Sequence, residues 1–196
     1  MKQDQLPSFR RIPADSVCVE IGTWEGDFSY EILKNTSCKK LYCVDPYKHF
    51  QNDEYPDAMN NLTQEEFDRK YETTKARFAE FGDRVTFLRM GSIEASKTFL
   101  NETLDYVYID GNHDYSYVLQ DILHWYPKVK IGGFLNGDDV YSTNLAEHDT
   151  SGNVTRIWAP GCWGKYGTFK AAVDAQKVLG YNFAVEETQF IIKRRD

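Results

Sequence analysis

"LDYVYIDGNHDYSYVLQDILHWYPKVKIGGFLNGDD", residues 104–139, decides the fold. It opens on a short apolar run rich in aromatic and β-branched side chains, the pattern of a buried strand. Val118, Ile122 and Trp125 then recur at helical spacing, and Pro127 with Gly132 and Gly133 closes that helix before a second apolar run. Strand, helix and strand in this order make a crossover between parallel neighbours. Both strands finish on carboxylates: Asp110, and 28 residues later the pair Asp138 and Asp139. A histidine, His113, stands three residues beyond the first of them.

The same alternation of short apolar runs and longer amphipathic stretches extends in both directions, which predicts an α/β fold with a parallel sheet covered by helices on both faces. Strands are expected at 17–21, 41–45, 85–89, 104–110 and 133–137, followed by a terminal hairpin at 183–187 and 189–194. Helices are expected at 27–33, 64–81, 93–100, 115–126 and 167–179. Two segments, 50–61 and 141–167, are long for connections inside a compact domain and follow strand C-terminal ends, where open α/β sheets bind ligands.

Bulk properties narrow the partners. The 196 residues, 41% hydrophobic, suit a single domain over 1–196 with a full core. A net charge of -7 argues against a nucleic-acid partner. No stretch approaches the roughly 20 apolar residues of a membrane span, and the start lacks an apolar secretory segment. Cys18, Cys38, Cys43 and Cys162 show no C-x-x-C spacing, and Cys18 and Cys43 lie in apolar runs. Buried free thiols in a reducing, cytoplasmic setting are the expectation.

"VCVEIGTWEGDFS", residues 17–29, reads as a strand, a glycine turn and a helix start. Gly22 and Gly26 allow the backbone to turn tightly and approach a ligand. Glu20 would repel the phosphates of a dinucleotide but suits the amino group of an amino-acid-bearing ligand. Asp45 ends the second strand, 19 residues beyond Gly26, where an acid accepts both hydroxyls of a ribose. Gly91 and Ser92 open the helix after the third strand and border space for an adenine ring. Plainer readings stay open for each: a strand–helix turn, an exposed strand-end acid, an N-cap.

The acids pose the sharper problem. Ends of neighbouring parallel strands lie about 5 Å apart. Asp110, Asp138 and Asp139 would then meet and repel one another, raising at least one pKa. A divalent cation resolves that conflict, and oxygen ligands alone favour Mg²⁺ or Mn²⁺ over zinc. His113 at the following turn is placed to serve as a general base for a hydroxyl. Against this stand a turn-capping Asp139, a solvated Asp138 and a purely structural His113.

"VEIGTWEG", "CVDPY", "RMGSIEAS" and "YIDGNHDY…WYPKVKIGGFLNGDDVY", in that order, resemble the class I S-adenosylmethionine-dependent methyltransferases over nearly the whole chain. The last motif is similar to the branch of metal-dependent O-methyltransferases acting on macrolide and aminocoumarin sugars, and more distantly to catechol O-methyltransferase. The resemblance implies a Rossmann-like three-layer sandwich whose seven-stranded, mostly parallel sheet has an antiparallel last strand. It implies that Glu20, Gly22, Thr23 and Gly26 hold the methionine part of S-adenosyl-L-methionine, that Asp45 takes the ribose, that Gly91 and Ser92 lie at the adenine, and that Asp110 borders the cofactor. Asn112 departs from many relatives, which carry an acid there, and shifts the proton-taking duty onto His113.

The acceptor is expected to be a small molecule or glycan, since histidine at the base position matches sugar-directed relatives better than catechol ones; a phenol comes next. Tyr47, just before the first long segment, and Tyr141, His148 and Trp163 on the second are candidate acceptor contacts. A dinucleotide-binding oxidoreductase and a non-catalytic methyltransferase-like subunit are the alternatives from other classes. Glu20 and the missing second glycine cradle count against the first.

Overall fold

A computed structural model describes residues 5–50, 62–140 and 167–196, together with the backbone of 146–148 and 154–157. Five parallel strands alternate with helices: β1 (Val17–Ile21), β2 (Lys40–Val44), β3 (Val85–Leu88), β4 (Leu104–Ile109) and β5 (Val129–Gly137). The hairpin β8 (Phe183–Glu186) and β9 (Gln189–Lys193) completes a seven-stranded sheet in the order β3-β2-β1-β4-β5-β9-β8. β9 runs antiparallel to both of its neighbours, β5 and β8. The expected architecture is therefore present, with the antiparallel strand inserted beside β5. A separate short pair, β6 (Ala146–His148) with β7 (Val154–Ile157), lies within a segment expected to be loop.

Alternation along the strands builds two cores. Cys18, Leu41, Cys43, Tyr106 and Tyr108 face one side and pack with Phe28, Ile32 and Leu33 of α2 (Asp27–Asn35) and with Phe78, which follows α3 (Gln64–Arg77). Val19, Ile21, Val107, Ile109 and Leu135 face the other side, against α5 (Tyr115–Trp125) and α6 (Thr168–Leu179). A period of two with apolar residues on both phases is what a strand covered on both faces requires. Cys18, Cys38 and Cys43 are free and buried, in keeping with their apolar surroundings; Cys162 lies outside the described residues.

Three boundaries differ from the sequence expectation. The long helix expected at 64–81 is divided: α3 stops at Arg77, and a 3₁₀ segment kinked at Gly82 (φ 52°, ψ -130°) carries Ala79–Arg84 into β3. α4 (Ser92–Ser96) is shorter than its apolar pattern. α1 (Leu6–Phe9) is too short to leave a periodic signal, yet it packs on β9. No described helix is long and apolar enough to cross a membrane.

Chain order reverses between β1 and β4, which pair directly. That junction opens a crevice at the strands' C-terminal edge. The glycine turn leaves β1 and Asp110 leaves β4 at this point.

Candidate active site

The glycine turn is locked from both sides. Gly22 has φ +85°, and a Cβ there would lie 2.1 Å from the Asp110 carbonyl oxygen, so the β1 and β4 exits touch backbone to backbone. Gly26 has φ +75° and rests on the Phe78 ring. Between them Trp24 also holds a positive φ of 48°. Its N–H donates to Asp45 Oδ2 at 2.9 Å, and its carbonyl accepts from Thr74 Oγ1 at 3.2 Å and from the Tyr47 hydroxyl. Asp45 also accepts from the Tyr47 N–H at 2.8 Å through Oδ1.

Several residues singled out in the sequence lie deeper than a direct ligand contact requires. Tyr47 is 1% exposed and supports the turn from beneath through its hydroxyl. Glu20 is buried and accepts from Ser29 Oγ; burial drives its carboxyl well above the usual range, with Asp110 and Asp45 adding to the effect. Thr23 is buried, with its N–H directed to the Val44 carbonyl at 3.4 Å. The Ser92 hydroxyl donates to Asp121 and accepts from Trp125 Nε1 at 2.8 Å, which fixes the start of α4 beside the open backbone of Gly91. Tyr141 and Trp163, and the side chain of His148, lie outside the described residues.

The acidic edge forms as the strand pairing dictates. Ile109 pairs with Gly137, and the Asp138 N–H donates to the Ile109 carbonyl at 3.0 Å, so Asp110 and Asp138 leave adjacent strands side by side. Asn112 Oδ1 accepts the Asp114 N–H at 2.8 Å, a tight turn that carries His113 back over the edge. The Gly167 N–H caps the His113 carbonyl at 2.9 Å. The imidazole then stands between two carboxylates, Nε2 at 3.5 Å from Asp110 Oδ1 and Nδ1 at 3.5 Å from Asp139 Oδ2. Burial, helped by the charges of Asp138 and Asp139, pushes the Asp110 carboxyl up to about 7 despite the neighbouring imidazole of His113. Burial works downward on His113, but the nearby Asp110 carboxylate and the charges of Asp139 and Asp138 outweigh it and hold the ring at about 9.

Asp138 faces another way. It is 4% exposed, and its Oδ1 accepts from the Asp139 N–H at 2.8 Å, Thr188 Oγ1 at 3.2 Å and Gln189 Nε2 at 3.3 Å. Among the described residues no three His, Cys, Asp or Glu side chains are grouped closely enough to hold a metal ion as they stand. The imidazole separates Asp110 from Asp139, and Thr188 and Gln189 draw on Asp138. In chemistry the donor set still suits a hard cation: only carboxylate oxygens, with the Asp110 carboxyl raised by burial and, to a lesser degree, by the neighbouring acids. Thr188 and Gln189 escaped the sequence reading because only the placement of β9 beside β5 brings them to residues 50 and 51 positions earlier.

Comparison with known proteins agrees with this geometry. The family described as "Methyltransferase domain" matches residues 19–140, which run from β1 through the acidic pair. An uncharacterised protein, R132, of Acanthamoeba polyphaga mimivirus is 28% identical over 163 residues, 81% of this chain; the chain spans 66% of that relative's length. The O-methyltransferase NovP superposes with a TM-score of 0.58 at 16% identity, covering 99% of this chain and 76% of NovP. A Streptococcus mutans protein assigned as a methyltransferase and solved with S-adenosylhomocysteine gives 0.57 at 11% identity, covering 98% and 97%. At such identities these structures speak for the fold alone, a Rossmann-like sheet. With the family match spanning most of the sheet and the edge that carries the glycine turn, the chain belongs to the methyltransferase domain family.

Proposed function

We propose that residues 1–196 form one catalytic domain that transfers a methyl group from S-adenosylmethionine to a hydroxyl of a small molecule, preferably a sugar or glycan, with help from a divalent cation and His113. The observation that supports this reading best is the imidazole held between Asp110 and Asp139 at the reversal point of the sheet.

When bound, the cofactor supplies an electrophilic sulfonium methyl, and Mg²⁺ or Mn²⁺ acidifies and orients the acceptor hydroxyl. The backbone of Gly22–Gly26 and the Asp45 carboxylate receive the cofactor, while Gly91 and Ser92 border the adenine. Asp110 and Asp139, with Asp138, hold the cation. His113 keeps a proton on Nε2 toward Asp110, which leaves Nδ1 to take the hydroxyl proton. With the acids uncompensated, the ring is protonated below about pH 9 and is no base at neutral pH. Positive charge shared among the three carboxylates removes what holds the ring's pKa up, so a cation and a neutral His113 go together.

The test is a screen of glycosides and phenols for S-adenosylhomocysteine release with and without Mg²⁺. Turnover of glycosides that requires Mg²⁺ supports the reading. Undiminished turnover in excess EDTA overturns the cation, and turnover confined to phenols moves the acceptor to that class.

A further inference from the structure

We propose that Gln189 is a positioning residue, which orients Asp138 at the acidic edge and ties that orientation to the N-terminal helix α1. The inference rests on the reading above only in giving Asp138 a place beside the cation.

The Gln189 side chain is fully buried. Every polar atom of its amide is spent on a different part of the fold. Oε1 accepts the Ser8 N–H of α1 at 3.1 Å; Nε2 donates to the Tyr108 hydroxyl of β4 at 2.7 Å and to Asp138 Oδ1 at 3.3 Å. Two donors and one acceptor fix the amide plane, so its orientation is not free to vary. Asp138 Oδ1 thereby collects three protein donors, counting Thr188 and its neighbour's N–H. That oxygen has no capacity left for a further partner, which leaves Oδ2 as the single oxygen Asp138 can offer and makes it a one-oxygen ligand.

The consequence is measurable without an acceptor. The Asp139 N–H is held by Asp138 Oδ1, so its hydrogen exchange reports how firmly that carboxylate is oriented. Gln189→Met, which keeps volume and flexibility, and Gln189→Leu both remove the donor. Exchange at Asp139 is expected to rise about tenfold or more in both variants, while β1 amides keep wild-type protection. Affinity for Mn²⁺, the probe for the cation, is expected to fall about tenfold or more, as when a partner orienting a metal ligand is lost. Unchanged Asp139 exchange in both variants overturns the proposal. A matching rise across β1 also overturns it, since the side chain would then be a packing element only. If wild-type protein fails to bind Mn²⁺ while Asp139 exchange responds, the cation reading falls and the positioning role stands.

Discussion

His113 shows how one side chain's role depends on the charge around it. Three carboxylates raise an imidazole that burial alone would lower. His113→Ala should reduce kcat by roughly 10²- to 10⁴-fold, the range for a lost general base, with little change in the Kd for S-adenosylmethionine. A drop below threefold, read from S-adenosylhomocysteine release, would assign the proton transfer to another group. In wild-type protein, raising Mg²⁺ should move the acid limb of the kcat profile to lower pH. Asp139→Ala should abolish methyl transfer and spare cofactor binding, because Asp139 faces the imidazole beyond the end of β5, whereas the glycine turn leaves β1. Calorimetric titration with S-adenosylmethionine checks the second half of that expectation.

At the level of elements, the glycine turn and the β4 exit act as one unit. Gly22→Ala forces a Cβ to within 2.1 Å of the Asp110 carbonyl at a φ that side chains rarely adopt. The cost should be about 3 kcal/mol or more, with weakened cofactor binding, measured as a loss in denaturation midpoint and in calorimetric affinity. This turn was legible in the sequence, because a strand running into Gly22 and Gly26 has few alternatives. The roles beneath it were not. Tyr47 and Thr74 meet on the Trp24 carbonyl through tertiary packing, and Glu20 sits inward with Ser29. Spacing identifies a strand end but not which way its side chain is solvated. The end of α3 at Arg77 was hidden for a similar reason: the apolar rhythm continues past it through Phe78 and Phe81, both buried, although the α-helix has given way to a 3₁₀ segment.

For the whole molecule, the raised groups at the acidic edge set a pH dependence of stability. His113 moves from 6.5 to about 9 on folding, so its contribution is complete below pH 6.5 and disappears as pH rises through 9. Asp110 moves from 3.8 to about 7, so folding favours its protonated form and the benefit fades between those values. Metal-free protein should therefore lose Tm as pH climbs from about 4 to 9, and Mg²⁺ should flatten the upper part of that slope. A Tm profile in EDTA that is flat or rises over this range would contradict it. The sheet itself was readable from strand and helix periodicity, and the acid pair from the ends of two apolar runs. What links the acids to the rest of the protein came only from sheet order, since no local pattern announces that β9 lies beside β5.

That order has a temporal consequence. The ribosome makes β5 and both acids that follow it well before β9, yet the Val140 N–H pairs with the Thr188 carbonyl and Asp138 takes side-chain donors from Thr188, in the turn before β9, and from Gln189, the first residue of that strand. A nascent chain halted before Thr188 would carry the glycine turn, the histidine and all three carboxylates, with Asp138 lacking both of its late side-chain donors. Assembly of the acidic edge thus waits on the last strand of the sheet to be synthesised.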